Sequence, residues 1–133
     1  MPRFSPTVVD HFTNPRNAGE IENADVRAFV GNPVCGDQIL LTARVDGPVV
    51  SEIRFRAHGC SASLATASLL TETATGAQLA ALEQIDAARM EELLGGLGPD
   101  QKHVAALGAD VLQRLVANHR NGVNDDDPIS CSA

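Results

Sequence analysis

Between residues 38 and 58 the chain alternates apolar and polar positions twice in succession. Ile39, Leu41, Ala43 and Val45 interleave with Gln38, Leu40, Thr42 and Arg44. After Asp46-Gly47-Pro48, Ile53, Phe55 and Ala57 interleave with Arg54, Arg56 and His58. A period of two marks half-buried strands, and the Asp-Gly-Pro between them is a turn signal, so the two runs predict a β-hairpin. Upstream, Val26 to Val30 reads as a short strand, preceded by a turn-rich stretch over 15–25. Ser5-Pro6 has the form of an N-cap followed by proline at the first helical position, which opens a short helix that Asn14-Pro15 stops.

The period changes downstream. Residues 61–75, rich in Ala, Ser, Thr and Leu, predict a helix capped by Gly76, with side chains small enough for close packing on the sheet. Asp86 to Leu94 predicts another, ended by Gly95-Gly96. Val104, Leu107, Gly108, Val111, Leu112 and Leu115 follow the i, i+3, i+4, i+7 spacing of one apolar helical face. Strands first and helices afterwards give an α+β fold, a small three-stranded antiparallel sheet with helices packed on one face.

Composition narrows the function more than the fold. At 133 residues the chain has the size of one domain with one core. The expected division is a domain over 1–120 and a flexible acidic tail over 121–133, which carries Asp125, Asp126 and Asp127. No apolar run approaches the roughly 18–20 residues that span a bilayer. The start, MPRFSPTVVDHF, lacks the continuous apolar stretch of a signal peptide, so a cytoplasmic protein without a membrane partner is expected. A net charge of −7, a single lysine (Lys102) and the lack of Trp and Tyr argue against nucleic acid as a partner. With no Ser/His/Asp spacing, Walker loop or GxGxxG, the chain does not read as an enzyme in the ordinary sense.

Three cysteines, an odd number in a reducing compartment, speak against a disulfide framework and leave buried thiols or metal and sulfur chemistry. The hairpin favours the second. Mirrored about Gly47-Pro48, it pairs residues whose numbers sum to about 95, as Cys35 and Cys60 do. The two sulfurs are therefore expected side by side at the open end of the hairpin, with Asp37 at the same end. Cys60 also falls where strand gives way to helix, and a helix N-terminus favours thiolate. Gly36 and Gly59 suit tight turns beside the cysteines.

Two thiolates and a carboxylate leave a tetrahedral metal one ligand short. Of the four histidines, His11 is expected at the surface or cap of the first helix, and His58 on the polar side of the third strand. His119 continues the apolar face of the last helix as a core residue. His103 opens that helix after a Gly-Pro loop, where it can approach a site, and spacing alone leaves its role open.

The stretches VVDHFTNPRNAG, GNPVCGD, RFRAHGCSASLATASLLTE and LGPDQKH occur in this order. Together, over roughly residues 6–120, they make the chain resemble the IscU/NifU-type iron–sulfur cluster assembly scaffolds. The resemblance implies the IscU/SufE-like α+β fold, with Cys35, Asp37, Cys60 and His103 in metal or cluster ligand positions. It implies a protein that takes persulfide sulfur from a cysteine desulfurase, collects iron, builds a [2Fe–2S] cluster and passes it to acceptor apo-proteins. Zinc commonly occupies the same ligands in this family, and a hard carboxylate such as Asp37 is expected to keep a cluster labile.

The chain departs from the family pattern at two places. Val104 stands where the family has a third ligand cysteine, and Gly98, Asp100 and Gln101 replace the residues of the chaperone-recognition segment, which argues against a dedicated chaperone. A scaffold or carrier for iron, a [2Fe–2S] cluster or zinc is the leading expectation. The alternatives are a zinc-dependent persulfide acceptor resembling a sulfurtransferase, and a degenerate paralogue acting only through protein contacts. Cys131, in the acidic tail, reads as a chance cysteine, with a substitute for the missing thiolate as its alternative role.

Overall fold

The structure is a computed structural model that describes residues 5–31, 37–59, 61–97 and 102–122. The chain runs α1 (Pro6–Thr13), β1 (Val26–Gly31), β2 (Gln38–Asp46), β3 (Val49–His58), α2 (Ser61–Ala74), α3 (Leu79–Leu82), α4 (Ala87–Leu93) and α5 (Lys102–Asn121). The strands form one antiparallel sheet in the order β1-β2-β3.

Local chemistry sets most boundaries as expected. The Ser5 hydroxyl accepts from Val8 N–H at 3.1 Å with Pro6 in the first turn, and Asp86 caps α4 by accepting from Arg89 N–H at 2.8 Å. Gly76 and Gly95, at φ +80° and +81°, take the left-handed conformation that ends α2 and α4. The short α3 has no periodic run long enough to announce it. It follows the bend that brings Gly76 N–H to Val50 O at 2.8 Å.

One face of the sheet carries the core. Val26, Ala28, Ile39, Leu41, Ala43, Ile53 and Phe55 lie beneath α2 and α5, joined by Leu70, Val111, Leu112 and Leu115. Going across the sheet, α5 packs on β1 and β2, α2 packs on β3, and α1 packs on α2. The helices thus lie in the order α5, α2, α1 above the strand order β1, β2, β3. A Cβ placed on Gly108 of α5 would stand 2.6 Å from Thr66 Cγ2 of α2, so a missing side chain sets the closeness of these two helices.

The second face departs from simple alternation. All of Gln38 to Ala43 is buried, including Leu40 and Thr42 on the side read as polar. The turn-rich segment is the cause. Residues 17 to 19 run beside the outer edge of β3, with Phe55 N–H donating to Asn17 O and Gly19 N–H to Phe55 O. The chain then crosses under the sheet, where Ile21 N–H donates to Thr42 Oγ1 at 2.9 Å and Asp25 N–H to Ala43 O at 2.9 Å. Glu20 pairs there with Arg27 and Arg56, and the Arg27 guanidinium holds its carboxyl below the ordinary carboxylate range.

Two histidines differ from expectation. His11 is 3% exposed, turned against α2 with Nδ1 2.8 Å from Ser68 Oγ, because the short helix buries that side together with Val8. His119 is half-buried rather than in the core. The apolar face rotates by one position at this end of α5, and Asn118 is buried instead, donating to Arg27 O at 2.8 Å. His58 is exposed, as read. Among the described residues no helix is long and apolar enough to cross a membrane.

Candidate metal and sulfur site

Asp37 and His103 meet. The carboxylate sits immediately before β2 and the imidazole in the first turn of α5, and His103 Nε2 lies 2.5 Å from Asp37 Oδ2. The Asp37 side chain is 13% exposed and that of His103 58%, so the pair forms the edge of a site open to solvent. Spacing had left His103 open. Packing of α5 on β1 and β2 brings its first turn to the end of the sheet where β2 begins.

Gly59 shapes the other side of Asp37. It has φ +137°, and a Cβ built on it would stand 2.0 Å from Asp37 Oδ1 and 2.9 Å from Asp37 Cα. Only glycine lets the end of β3 come this close to the aspartate, and only glycine adopts that φ without strain. The sequence marks Gly59 as a turn beside a cysteine. Its tighter role, as the floor under Asp37, depends on packing between β2 and β3.

The hairpin register carries one correction. Near the turn, Asp46 pairs with Val49 and Val45 with Val50, so the numbers sum to 95. An irregularity between Arg44 and Val45 then moves the sum to 96, from Arg44↔Glu52 out to Gln38↔His58. The shift lies within a residue of the mirrored register. The ladder reaches Gln38 and His58, two residues before Cys60 and three after Cys35. Cys35, Cys60 and Cys131 themselves lie outside the described residues, as do Gly36, Gly98, Asp100, Gln101 and the acidic Asp125–Asp127.

Val104, which the resemblance sets at the position of a third ligand cysteine, is completely buried while its neighbour His103 is exposed. The described part of the donor set is thus one hard carboxylate oxygen and one borderline imidazole nitrogen. That set suits zinc or iron, with soft sulfur ligands to be supplied from elsewhere. Sequence reasoning gave no role to Phe12. It projects from α1 beside Gly59 and Ser61, with Ala57 and Leu64 completing the wall of a cavity. The signal available was a second apolar pair on α1, Val9 and Phe12, on a side other than that of Val8.

Comparison with known proteins follows the same lines. The family model for the NifU-like N terminal domain matches residues 3–125. An iron–sulfur cluster assembly scaffold protein, IscU 1 of Archaeoglobus fulgidus, is 40% identical over 124 residues, which cover 92% of this chain and 81% of that protein. The scaffold protein IscU of Escherichia coli is 33% identical over 122 residues, covering 89% of this chain and 94% of its own. The crystal structure of a nitrogen-fixing NifU-like protein (N-terminal) from Brucella abortus superposes with a TM-score of 0.72 over 88% of this chain and 94% of the other. At 15% identity that likeness speaks for the fold alone. With a fold, a site edge and relatives all in agreement, this chain belongs to the NifU-like N-terminal domain family.

Proposed function

We propose that this protein is a scaffold or carrier in iron–sulfur cluster assembly. It holds iron, a [2Fe–2S] cluster or zinc as cargo through Cys35, Asp37, Cys60 and His103, and hands the cluster to acceptor proteins. The observation that carries this reading is the meeting of Asp37 and His103, 66 residues apart in sequence, at 2.5 Å. The Asp37 end of that contact rests against Gly59, the residue bonded to Cys60, and lies two residues after Cys35. Helix and sheet packing thus bring together Asp37, His103 and Gly59, the neighbour of Cys60 in sequence, which supports the four-ligand reading.

Each donor has a distinct part. Thiolates of Cys35 and Cys60 supply the soft ligands that iron–sulfide prefers, and Cys60 precedes the N-terminus of α2, where the helix field favours thiolate. His103 supplies a neutral nitrogen. Asp37 supplies a hard oxygen that holds a soft cluster less firmly, which suits a cargo meant to leave. With Val104 in place of a third thiolate, the set holds clusters more weakly than a three-cysteine site would.

Sulfur arrives as a persulfide from a cysteine desulfurase. The Cys60 thiolate attacks the outer sulfur of the donor persulfide, the donor S–S bond breaks, and the donor cysteine leaves as thiolate. One S–S bond replaces another, so no outside oxidant or reductant is needed. The protein acts by binding and release and not by turnover, and a cytoplasmic setting, where thiols stay reduced, fits this chemistry. The test is anaerobic reconstitution with iron and sulfide followed by transfer to an apo-ferredoxin. A protein that neither takes up iron nor delivers a cluster contradicts the proposal.

A further inference from the structure

The Ser5 hydroxyl makes two hydrogen bonds. It accepts from Val8 N–H at 3.1 Å as the cap of α1, and it donates to the carbonyl of Leu94, 89 residues away. Leu94 closes α4 and is fully buried. Its carbonyl is one of those that a helix end leaves without a partner inside the helix. The approach is close because the next residue is glycine. A Cβ on Gly95, which has φ +81°, would stand 3.0 Å from Ser5 Cβ and 3.1 Å from Ser5 Oγ. The start of α1 and the end of α4 thus meet at a distance that only glycine at 95 accepts without a shift.

Helix α4 is in turn fastened along α5. Just before it, Ile85 O accepts from Gln113 Nε2 at 2.9 Å. The buried Met90 lies against Gly108, with its Cγ and Cε 3.5 and 3.6 Å from where a Cβ would stand. Glu91 Oε2 is 3.7 Å from Nζ of Lys102, the first residue of α5. The next residue is His103, which meets Asp37. Described contacts therefore run without a break from Ser5 through the last turn of α4 to the first turn of α5 and on to Asp37. The main packing partner of α1 is α2, so the Ser5 bond is what ties its first turn to α4.

We infer that Ser5 is a positioning residue for His103. Its hydroxyl holds the end of α4 in place, and α4 holds the ligand-bearing turn of α5 at Asp37. The inference rests on the proposed role of His103 as a ligand and adds that the N-terminal cap, on another helix, sets how well that ligand is placed. Loss of the Ser5–Leu94 bond frees the last turn of α4 and, with it, the start of α5.

The test is a pair of substitutions that separate the two bonds of Ser5. Ser5→Asp keeps an oxygen that caps α1 but has no proton to give Leu94 O, whereas Ser5→Thr keeps both functions. In the metal-free whole chain, Ser5→Asp should speed hydrogen exchange at Ala106, Leu107 and Gly108, whose amides bond back to the first turn of α5. The Val9 amide, which donates to Ser5 O at 3.0 Å, should keep its protection. Zinc affinity, read by competition with a chelator dye, should fall about three- to tenfold, the scale of one hydrogen bond. Ser5→Thr should restore both readouts. In a His103→Ala background Ser5→Asp should leave zinc affinity unchanged, because the ligand it places is gone. Unaltered exchange at residues 106–108 overturns the inference, as does an equal loss of zinc affinity in both backgrounds, which is what a general effect on folding would give. If His103→Ala weakens zinc binding and Ser5→Asp does not, the inference fails alone. If His103→Ala itself leaves zinc affinity unchanged, the ligand role of His103 fails and the inference falls with it.

Discussion

His103 Nε2 and Asp37 Oδ2 stand 2.5 Å apart at the edge of the sheet, the imidazole open to solvent and the carboxylate largely enclosed. The asymmetry separates their roles. His103→Ala removes an exposed nitrogen donor and is expected to lower zinc affinity at least tenfold, read by competition with a chelator dye. Asp37→Ala is expected to keep a reconstituted cluster longer and to slow its transfer to apo-ferredoxin. Faster cluster loss than in the parent would contradict the labilising role of the carboxylate.

Gly59 makes a sharper case, because a single methyl group tests the packing behind Asp37. Gly59→Ala forces a non-glycine residue to φ +137° and places its Cβ 2.0 Å from Asp37 Oδ1. The expected cost is about 1–3 kcal/mol of stability from strain, together with a loss of zinc affinity from the displaced carboxylate. Unchanged thermal stability and zinc affinity would mean that the close approach of β3 to Asp37 is not required.

At the junction of α2 and α5 the prediction runs against helix propensity. Alanine in place of Gly108 favours the helix by about 1 kcal/mol, yet its Cβ would meet Thr66 Cγ2 at 2.6 Å. Overpacking is expected to win, leaving Gly108→Ala less stable by about 1–2 kcal/mol net. Thr66→Ser removes that methyl group and keeps the hydroxyl that donates to Ala62 O, so the double variant should recover most of the loss. Equal effects of Gly108→Ala in both backgrounds would show that the two residues do not meet.

His11 gives a pH dependence with a definite sign. Burial is the main cause that holds its pKa below the ordinary 6.5, reinforced by Arg16 and partly opposed by Glu72 and Asp10. The folded chain therefore takes up this proton less readily than the unfolded chain. This contribution favours the fold fully above pH 6.5 and is lost as the pH falls through and below that value. Urea unfolding at pH 7.5 and 5.5 should show the parent losing more stability on acidification than His11→Gln. Parallel losses would contradict the assignment.

The hairpin, the caps of α1 and α4 and the long α5 were legible because each rests on a local signal: alternation, a capping side chain, a helical stripe. The juxtaposition of Cys35, Cys60 and Asp37 at one end of the hairpin was an inference from register alone; the ladder follows that register to within one residue as far as Gln38↔His58, and the two cysteines lie outside the described residues. What remained illegible was set by tertiary packing. Nothing local says that residues 17–25 pass under the sheet and bury Thr42, that α1 turns His11 inward onto Ser68, or that α5 brings His103 to Asp37. The reading of Val104 as a missing thiolate came from the resemblance alone, and nothing local announces its burial beside an exposed His103.

The central claim is that Cys35 and Cys60, together with Asp37 and His103, hold the cargo. Metal analysis and visible spectroscopy of anaerobically purified and reconstituted protein test it most directly, comparing the parent with Cys35→Ala/Cys60→Ala. The parent is expected to carry about one zinc ion or one [2Fe–2S] cluster per chain, and the double variant to lose most of it while staying folded. Full metal or cluster content in the double variant would place the site elsewhere and contradict the account.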